Sequence, residues 1–523
     1  MRASERAAVA ATPQSPNALS SSLTITLYFS FAALMVHVLT NGRYGYFRDE
    51  LYYLACGEHL DWGYVDHAPL IALIAKLTRT LLGDSLHALR FPVALAAAGR
   101  VLLTGLIARE LGGKRFAVAL ACLCALVAPI YLALGDFLSM NAFEPLFWMV
   151  CAYVLVLVIK RQNPRQLLWF GVFAGIGLEN KHSMLFFGFA VVAGLLLTSE
   201  RKLMASPWMW IAGAIALAIF LPNVIWQIRH HWPTIEDLRN VQRTHKNIVL
   251  GPVAFVGQQI LMLLPTSVLV WVPGVWYFFF DRGGKRYRVL GWAYVITLAL
   301  MIALKGKIYY LAPIYPMLFA AGSVFWEGQA ENHARLRWVK PVLPALVLLT
   351  GAILAPIALP ILAPQNIPGY EAAIGIQPPR QEVKHEGILP QYFGDQFGWP
   401  EMVEKVAEVY NALPPEERAP AAILAGNYGE AGAIDFFGGR YGLPKSICAH
   451  QTYYYWGPRD YTGAVVILLQ ADRARAERFC TSVQAGPVVG HPYAMAEENY
   501  TILICRGLKE PLQELWPQLK VWN

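Results

Sequence analysis

The sequence predicts a mainly α-helical, polytopic membrane bundle of about eleven spans, followed by a C-terminal soluble α/β domain. Three observations predict it. The 523 residues are 56% hydrophobic and only 15% charged, where a soluble domain is roughly 25% charged. Apolar runs near the length of a span recur up to residue 362. Beyond that point the charge balance changes sign. Residues 1–361 hold 30 Lys and Arg against 17 Asp and Glu, whereas residues 362–523 hold 13 against 18. The basic excess is not gathered into one soluble patch. It suits lipid headgroups or a phosphate-bearing ligand and gives no reason to invoke nucleic acid.

Residues 1–22 are polar and rich in Ala and Ser, and read as a disordered cytoplasmic segment. The next run has no convincing cleavage site and reads as a retained first helix. Candidate spans are 23–40, 88–111, 116–134, 142–159, 167–180, 184–199, 207–227, 252–280, 289–304, 308–327 and 340–362. Pro265 and Pro273 are placed to kink or split the 252–280 run. Five basic connections, at 112–115, 160–165, 200–202, 281–288 and 332–340, alternate with less basic ones. The positive-inside rule puts these five in the cytoplasm. The 41–87 loop, the Lys181 turn, the 228–250 loop, the Lys305-Gly-Lys307 turn and the domain at 363–523 then lie outside.

The 41–87 loop holds the densest chemistry. Tyr44-Gly-Tyr-Phe-Arg-Asp-Glu-Leu-Tyr-Tyr53 sets Arg48, Asp49 and Glu50 among four tyrosines. Alone it reads as a solvated turn with interfacial aromatics. After it, residues 69–82 read as a helix lying in the interface, which would roof Asp49. In the C-terminal part, 421–425, 464–469 and 501–505 read as buried strands, and 401–413 and 472–480 as helices. Asn427-Tyr-Gly-Glu430 sits between a strand and a helix, where such domains often bind ligands, or is simply a strand-to-helix turn. Thr452-Tyr-Tyr-Tyr-Trp-Gly-Pro458 is either a sugar-stacking surface or a packed loop. The seven cysteines show no metal spacing; Cys122 and Cys124 read as packing residues. Cys448, Cys480 and Cys505 allow one disulfide in an oxidising compartment, with the pair left open.

Ionisable groups gather at the outer ends of spans: Asp49, Glu50, Asp66, His67, Asp136, Glu144, Lys181, His182, Arg229, His230, His231, Lys305 and Lys307. Charge near membrane depth is costly, so each is a functional candidate by default. The structural alternatives are a helix end in water for Asp136, headgroup contacts for His230 and His231, and snorkelling for Lys305 and Lys307. Acids beside outward-facing lysines suit one reaction. A carboxylate takes the proton of an acceptor hydroxyl, the hydroxyl attacks a sugar C1, and fixed cations or a metal hold the departing lipid phosphate.

Arg48-Asp-Glu-Leu-Tyr-Tyr53 followed by Asp66-His-Ala-Pro-Leu70 resembles the first-loop signature of the C-type (GT-C) membrane glycosyltransferases, in the protein-mannosyltransferase and aminoarabinose-transferase-like group. Gly177-Leu-Glu-Asn-Lys-His182 and Lys305-Gly-Lys-Ile-Tyr-Tyr-Leu-Ala-Pro-Ile-Tyr-Pro316 resemble the group's two lysine turns, so the likeness runs over residues 20–330. It implies a GT-C-like bundle in a bacterial inner membrane, serving lipopolysaccharide or other envelope-glycan synthesis. The implied donor is a polyprenyl-phosphate-linked sugar and the acceptor a lipid, glycan or protein. It implies Asp49 as catalytic base with Glu50 in the same pair. Lys181, Lys305 or Lys307, with Arg48 and His67, would hold the donor phosphate. Asp66 and His67 match a position for a divalent metal or phosphate, and His230 and His231 are further ligand candidates. The second acidic motif departs from the group: Asn141 stands at the usual Asp position, leaving Glu144 or Asp136 to stand in, or no second acid. The rival readings are a transporter or flippase of lipid-linked sugars and a membrane receptor with an outer sensing domain.

Overall fold

The computed structural model describes residues 16–378, 382–383 and 386–523. Of the segment expected to be disordered, 1–15 lie outside the described residues, and helix begins at Pro16 rather than after residue 22. Seven helices are long and apolar enough to cross a membrane among the described residues, and up to nine spans result if each of two bent pairs counts as one. Two of the eleven expected runs fall outside that count. Seven of the expected runs are the long helices, and the runs at 184–199 and 252–280 are the bent pairs. The second bends by 106° at Pro265, while Pro273 stays inside a helix. The two remaining runs are broken or short, yet each returns the chain to the opposite face, because the connections before and after them lie together. The 116–134 run divides at Ala128 into Arg115–Val127 and Pro129–Leu134, and Leu167–Asn180 has only 14 residues, about 21 Å of helix.

The five basic connections share one face of the bundle. Lys160 bonds Glu110, Lys114 bonds Glu331, Lys202 bonds Gln162, Arg286 donates to the Lys160 carbonyl, and Lys340 sits over Phe116. The first loop and the C-terminal domain occupy the other face.

That domain carries a five-stranded mixed sheet in the order β2-β1-β3-β5-β4. The strands are β1 (Ala421–Ala425), β2 (Ile447–Cys448), β3 (Val465–Leu468), β4 (Cys480–Val489) and β5 (Tyr500–Leu508). β1 pairs β2 and β3 in parallel, and β5 is antiparallel to both β3 and β4. The three expected strands are the buried centre. The two unexpected ones are a two-residue edge and a largely exposed edge strand with no apolar run. Cys480 and Cys505 form a disulfide between β4 and β5.

The Arg48–Glu58 stretch is a helix rather than a turn, buried from Glu50 to Gly57. The Leu70–Leu82 helix packs beside it, with Ala72 and Lys76 backbone against Gly57. Contrary to expectation it does not roof Asp49; Tyr428 of the C-terminal domain lies against that carboxylate instead. One apolar core runs from Leu51, Tyr52, Ile71 and Leu138 into Trp399, Ile423 and Ile434. The Arg48–Glu58 and Tyr428–Phe437 helices approach closely, so that a Cβ on Gly432 would lie 2.7 Å from the Leu51 carbonyl group. Only a residue without Cβ allows that spacing.

Two outcomes follow from this packing. Gly432→Leu must push the two helices apart and should destabilise the protein by about 1–3 kcal/mol in thermal unfolding. Gly439→Ala, with no atom within 4 Å of the added carbon, should not. Beneath the same helix, Glu430 is fully buried, and burial pushes its carboxyl up to about 7. A raised folded-state value favours the protonated form, so its stability contribution is present below the ordinary carboxylate range near 4.5 and is lost as pH rises through 7. Glu430→Gln should therefore unfold near the wild-type temperature at pH 4 and several degrees above it at pH 8.

Candidate active site

Phe47 ends the entry into the Arg48–Glu58 helix, and the Glu50 side chain accepts from its N–H at 2.8 Å. Glu50 is fully buried. Both its oxygens also receive Arg90, each at 2.8 Å, and Oε1 accepts from the Leu138 N–H at 2.7 Å. Arg90 in turn donates to the carbonyls of Asn41 and Gly45 at 2.9 and 2.8 Å. Glu50 is thus locked inside protein and lines no cavity, so the expected catalytic pair divides. Its neighbour Asp49 points the other way, into a cavity of about 460 Å³.

That cavity has two kinds of wall. Arg48, Asp49, Asn141, Lys246, Lys307, Tyr309, Glu382 and Tyr428 form the polar side. Pro129, Ile130, Leu134, Leu261, Met262 and Ile357 belong to the apolar side. The Tyr428 hydroxyl donates to Asp49 Oδ1 at 2.8 Å, and the Arg48 guanidinium lies 5.7 Å from the Tyr428 ring and 3.6 Å from Asp395. Asn427 caps the helix behind Tyr428 through the N–H groups of Gly429 and Glu430. Lys307 Nζ is 2.7 Å and Lys246 Nζ 3.8 Å from Glu382. Burial lowers the Lys246 ammonium, countered chiefly by Glu382.

The remaining candidates fall elsewhere. Lys181 is paired with Glu144 at 2.8 Å and Asn141 at 2.7 Å, 4.4 Å from the centre of the Tyr310 ring; Ser183 also donates to Glu144. It reaches the cavity only through Asn141. Lys305 is exposed, in a left-handed turn at φ 54°. Asp136 is buried near the Glu50–Arg90 pair, and burial raises its carboxyl to about 7 against the pull of Arg90. Asp66 accepts from Tyr52 at 2.8 Å. Burial raises Asp66 to about 7 despite that bond, and the charge of Asp49 adds to the rise. His67 is buried on the Tyr64 ring with Nδ1 2.9 Å from the Ala68 carbonyl, and burial lowers it to about 4. It is packed among aromatic rings and does not line the cavity. His230 stacks on Trp226 and His231 is exposed. Among the described residues no group of three or more His, Cys, Asp or Glu is placed to hold a metal. Asp66, His67, His230 and His231 do not make the expected ligand set, and no step is routed through a metal.

Lys246, Glu382 and Tyr428 escaped the sequence reading. Lys246 stands among Arg239, Arg243 and His245 with nothing to single it out, and Glu382 lies in a segment without a motif. Tyr428 sits in the flagged strand-to-helix turn, so the signal was there without its target. The Thr452–Pro458 loop is packed: Tyr453 is buried, and Thr452 bonds Tyr52.

The Glu50–Arg90 pair gives a stability test. Arg90→Met strands a buried carboxylate and should cost about 3–5 kcal/mol. Adding Glu50→Leu should recover part of that loss in denaturant unfolding, because no charge is then left unpaired.

Residues 66–226 match the model of the dolichyl-phosphate-mannose-protein mannosyltransferase family. This covers the Asp66 motif and Lys181 but is narrower than the 20–330 likeness, leaving out Asp49 and Lys307. No curated protein matches the chain in sequence. In structure, the chain is similar to ArnT from Cupriavidus metallidurans bound to undecaprenyl phosphate, with 14% identity, a TM-score of 0.60, and coverage of 91% of this chain and 97% of ArnT. The apo state of ArnT gives 13% identity and a TM-score of 0.59 over 92% and 98%. The Archaeoglobus fulgidus oligosaccharyltransferase, tethered to an acceptor peptide, gives 10% identity and a TM-score of 0.51 over 80% and 63%. This polytopic membrane protein thus carries a segment that matches the protein-mannosyltransferase family, within a fold similar to that of ArnT over nine-tenths of the chain.

Proposed function

We propose that the chain transfers a sugar from a polyprenyl-phosphate donor to an acceptor hydroxyl on the extracytoplasmic face of the membrane. The observation that carries this is the cavity itself: Asp49 lines it together with the cations Arg48, Lys246 and Lys307, the carboxylates Glu371 and Glu382, and a set of apolar side chains. A ligand with an anionic head and a hydrocarbon tail fits both walls at once. That ArnT is bound to undecaprenyl phosphate supports the choice of lipid.

In this reading Asp49 takes the proton from the acceptor hydroxyl as its oxygen bonds to the sugar C1. The bond from C1 to the phosphate oxygen breaks, and the lipid phosphate leaves with both electrons and one more negative charge. Lys307 and Lys246 face that charge, where fixed cations in a water-poor site act most strongly. Lys181 does not line the cavity; it holds Asn141, which does. Tyr428 fixes one Asp49 oxygen and leaves the other free for the acceptor. Orientation follows from the positive-inside rule, which makes the face with five basic connections cytoplasmic. The Cys480–Cys505 disulfide in the opposite domain supports an oxidising compartment there. A flippase would place its charges near the midplane on broken helices, whereas here they sit beside the outer domain.

With the protein in lipid and a panel of undecaprenyl-phosphate sugars, Asp49→Asn should lower transfer by about 100-fold or more while undecaprenyl phosphate still binds. Lys307→Met should mainly raise the donor KM. Undiminished transfer by Asp49→Asn rules out the assigned base.

A further inference from the structure

Residues 520–523 thread between the 228–250 loop and the sheet domain, a place that neither the fold comparison nor the proposed chemistry explains. Val521 lies beside His450 in a parallel bridge: its N–H bonds the Ala449 carbonyl at 2.9 Å, and its carbonyl accepts from Gln451 at 3.0 Å. Trp522 is buried, and its indole N–H donates to the Gln451 carbonyl at 3.1 Å. The same segment grips the Pro233–Arg243 helix. Lys520 pairs with Glu236 at 2.6 Å, and the Trp522 carbonyl accepts from Asn240 at 2.9 Å. Gln451 joins the two sides, donating to Asp237 at 3.0 Å and to the main-chain oxygen of Asn523 at 3.1 Å. That Asn523 oxygen also accepts from Lys246 Nζ at 3.1 Å.

We infer that residues 520–523 are a positioning strap for Lys246, holding its ammonium in the cavity wall where a lipid phosphate binds. The inference rests on the reading of Lys246 as a phosphate-facing cation. Lys246 follows the helix through a left-handed residue, His245 at φ 51°, so its backbone is set by where that helix ends. Its four-carbon stem is free to swing, and fixing such a side chain costs up to about 2 kcal/mol of rotamer entropy. Glu382 also lies near, 3.8 Å away and already engaged by Lys307. An acceptor fixed by the strap supplies the anchor that Glu382 does not. The strap touches no part of Asp49, so its effect falls on binding rather than on the chemical step.

The test is a double-mutant cycle on the purified full chain in detergent, with undecaprenyl phosphate as the binding probe and donor KM and kcat as the kinetic readout. Lys246→Met should weaken undecaprenyl phosphate binding about tenfold. Trp522→Ala should weaken it several-fold and raise the donor KM, with kcat changed by less than about twofold. In the Lys246→Met background Trp522→Ala should add nothing, because the two changes act on one contact. Gln451→Leu leaves the Trp522 indole in place and should repeat the pattern if Trp522→Ala fails to fold. If Lys246→Met weakens binding while both strap variants bind like wild type, or weaken it additively, the strap is overturned. If Lys246→Met itself binds undecaprenyl phosphate normally, the phosphate role of Lys246 fails first, and the strap's role falls with it.

Discussion

The arrangement of the site depends on one buried ion pair, Glu50 with Arg90. Both side chains are fully excluded from solvent. Removing two charges from water is expensive, and their attraction compensates only when every remaining hydrogen-bonding position is filled. Here they nearly all are: two guanidinium contacts, the Phe47 and Leu138 N–H groups, and the carbonyls of Asn41 and Gly45. The pair therefore ties together the end of the first span, the start of the Arg48–Glu58 helix, the Leu86–Glu110 span and the turn before Met140. Successive residues on a helix project about 100° apart. Fixing Glu50 into the bundle thus turns Asp49 toward the cavity. Of two adjacent carboxylates, one is consumed as architecture so that the other can be held in a set direction.

The C-terminal domain supplies the opposite side of that constraint. Its Tyr428 bonds Asp49, and Gly429 and Gly432 let its helix lie directly on Arg48 and Leu51. Because the apolar core passes without a break from the first loop into the sheet, the domain cannot drift from the bundle without exposing that core. An outer domain that merely recruited an acceptor would need no such seam. The seam makes it a wall of the cavity that Asp49 lines.

How much of this was legible in the sequence follows from what each signal encodes. Long uniform apolar runs announce themselves by length, so the seven long helices and the two bent ones fell where expected. Buried central strands did so too, because β1 and β3 are continuous apolar runs, whereas β4 is an exposed edge with mixed residues. The Arg48–Tyr53 motif fell at the cavity, but it did not show that Asp49 and Glu50 face different ways. Asp49 and Glu50 look alike until Arg90, forty residues on, is seen to claim one of them. Lys307 and Lys305 were likewise equal by spacing; a left-handed turn sends Lys305 into solvent and Lys307 into the cavity. Tyr428 and Lys246 depend on contacts across hundreds of residues, which no local pattern records.

The helices that fell short of the span test explain why a cavity exists at all. Pro129–Leu134 supplies Pro129, Ile130, Ala133 and Leu134 to the apolar wall, just beyond the break at Ala128. Leu261 and Met262 come from the last turn before the bend at Pro265, and Ile357 and Ala358 from the end of the last span. Full-length helices packed side by side would fill this space. Interrupted backbone at membrane depth is tolerated where it is buried in protein or lines a cavity. The two prolines at 129 and 265 therefore do more than shorten helices. They withdraw main chain from the centre of the outer half of the bundle, leaving an apolar recess that ends against Asp49, Lys246 and Lys307. The amphiphilic shape of the site is thus the product of broken spans on one side and a folded domain pressed against the first loop on the other.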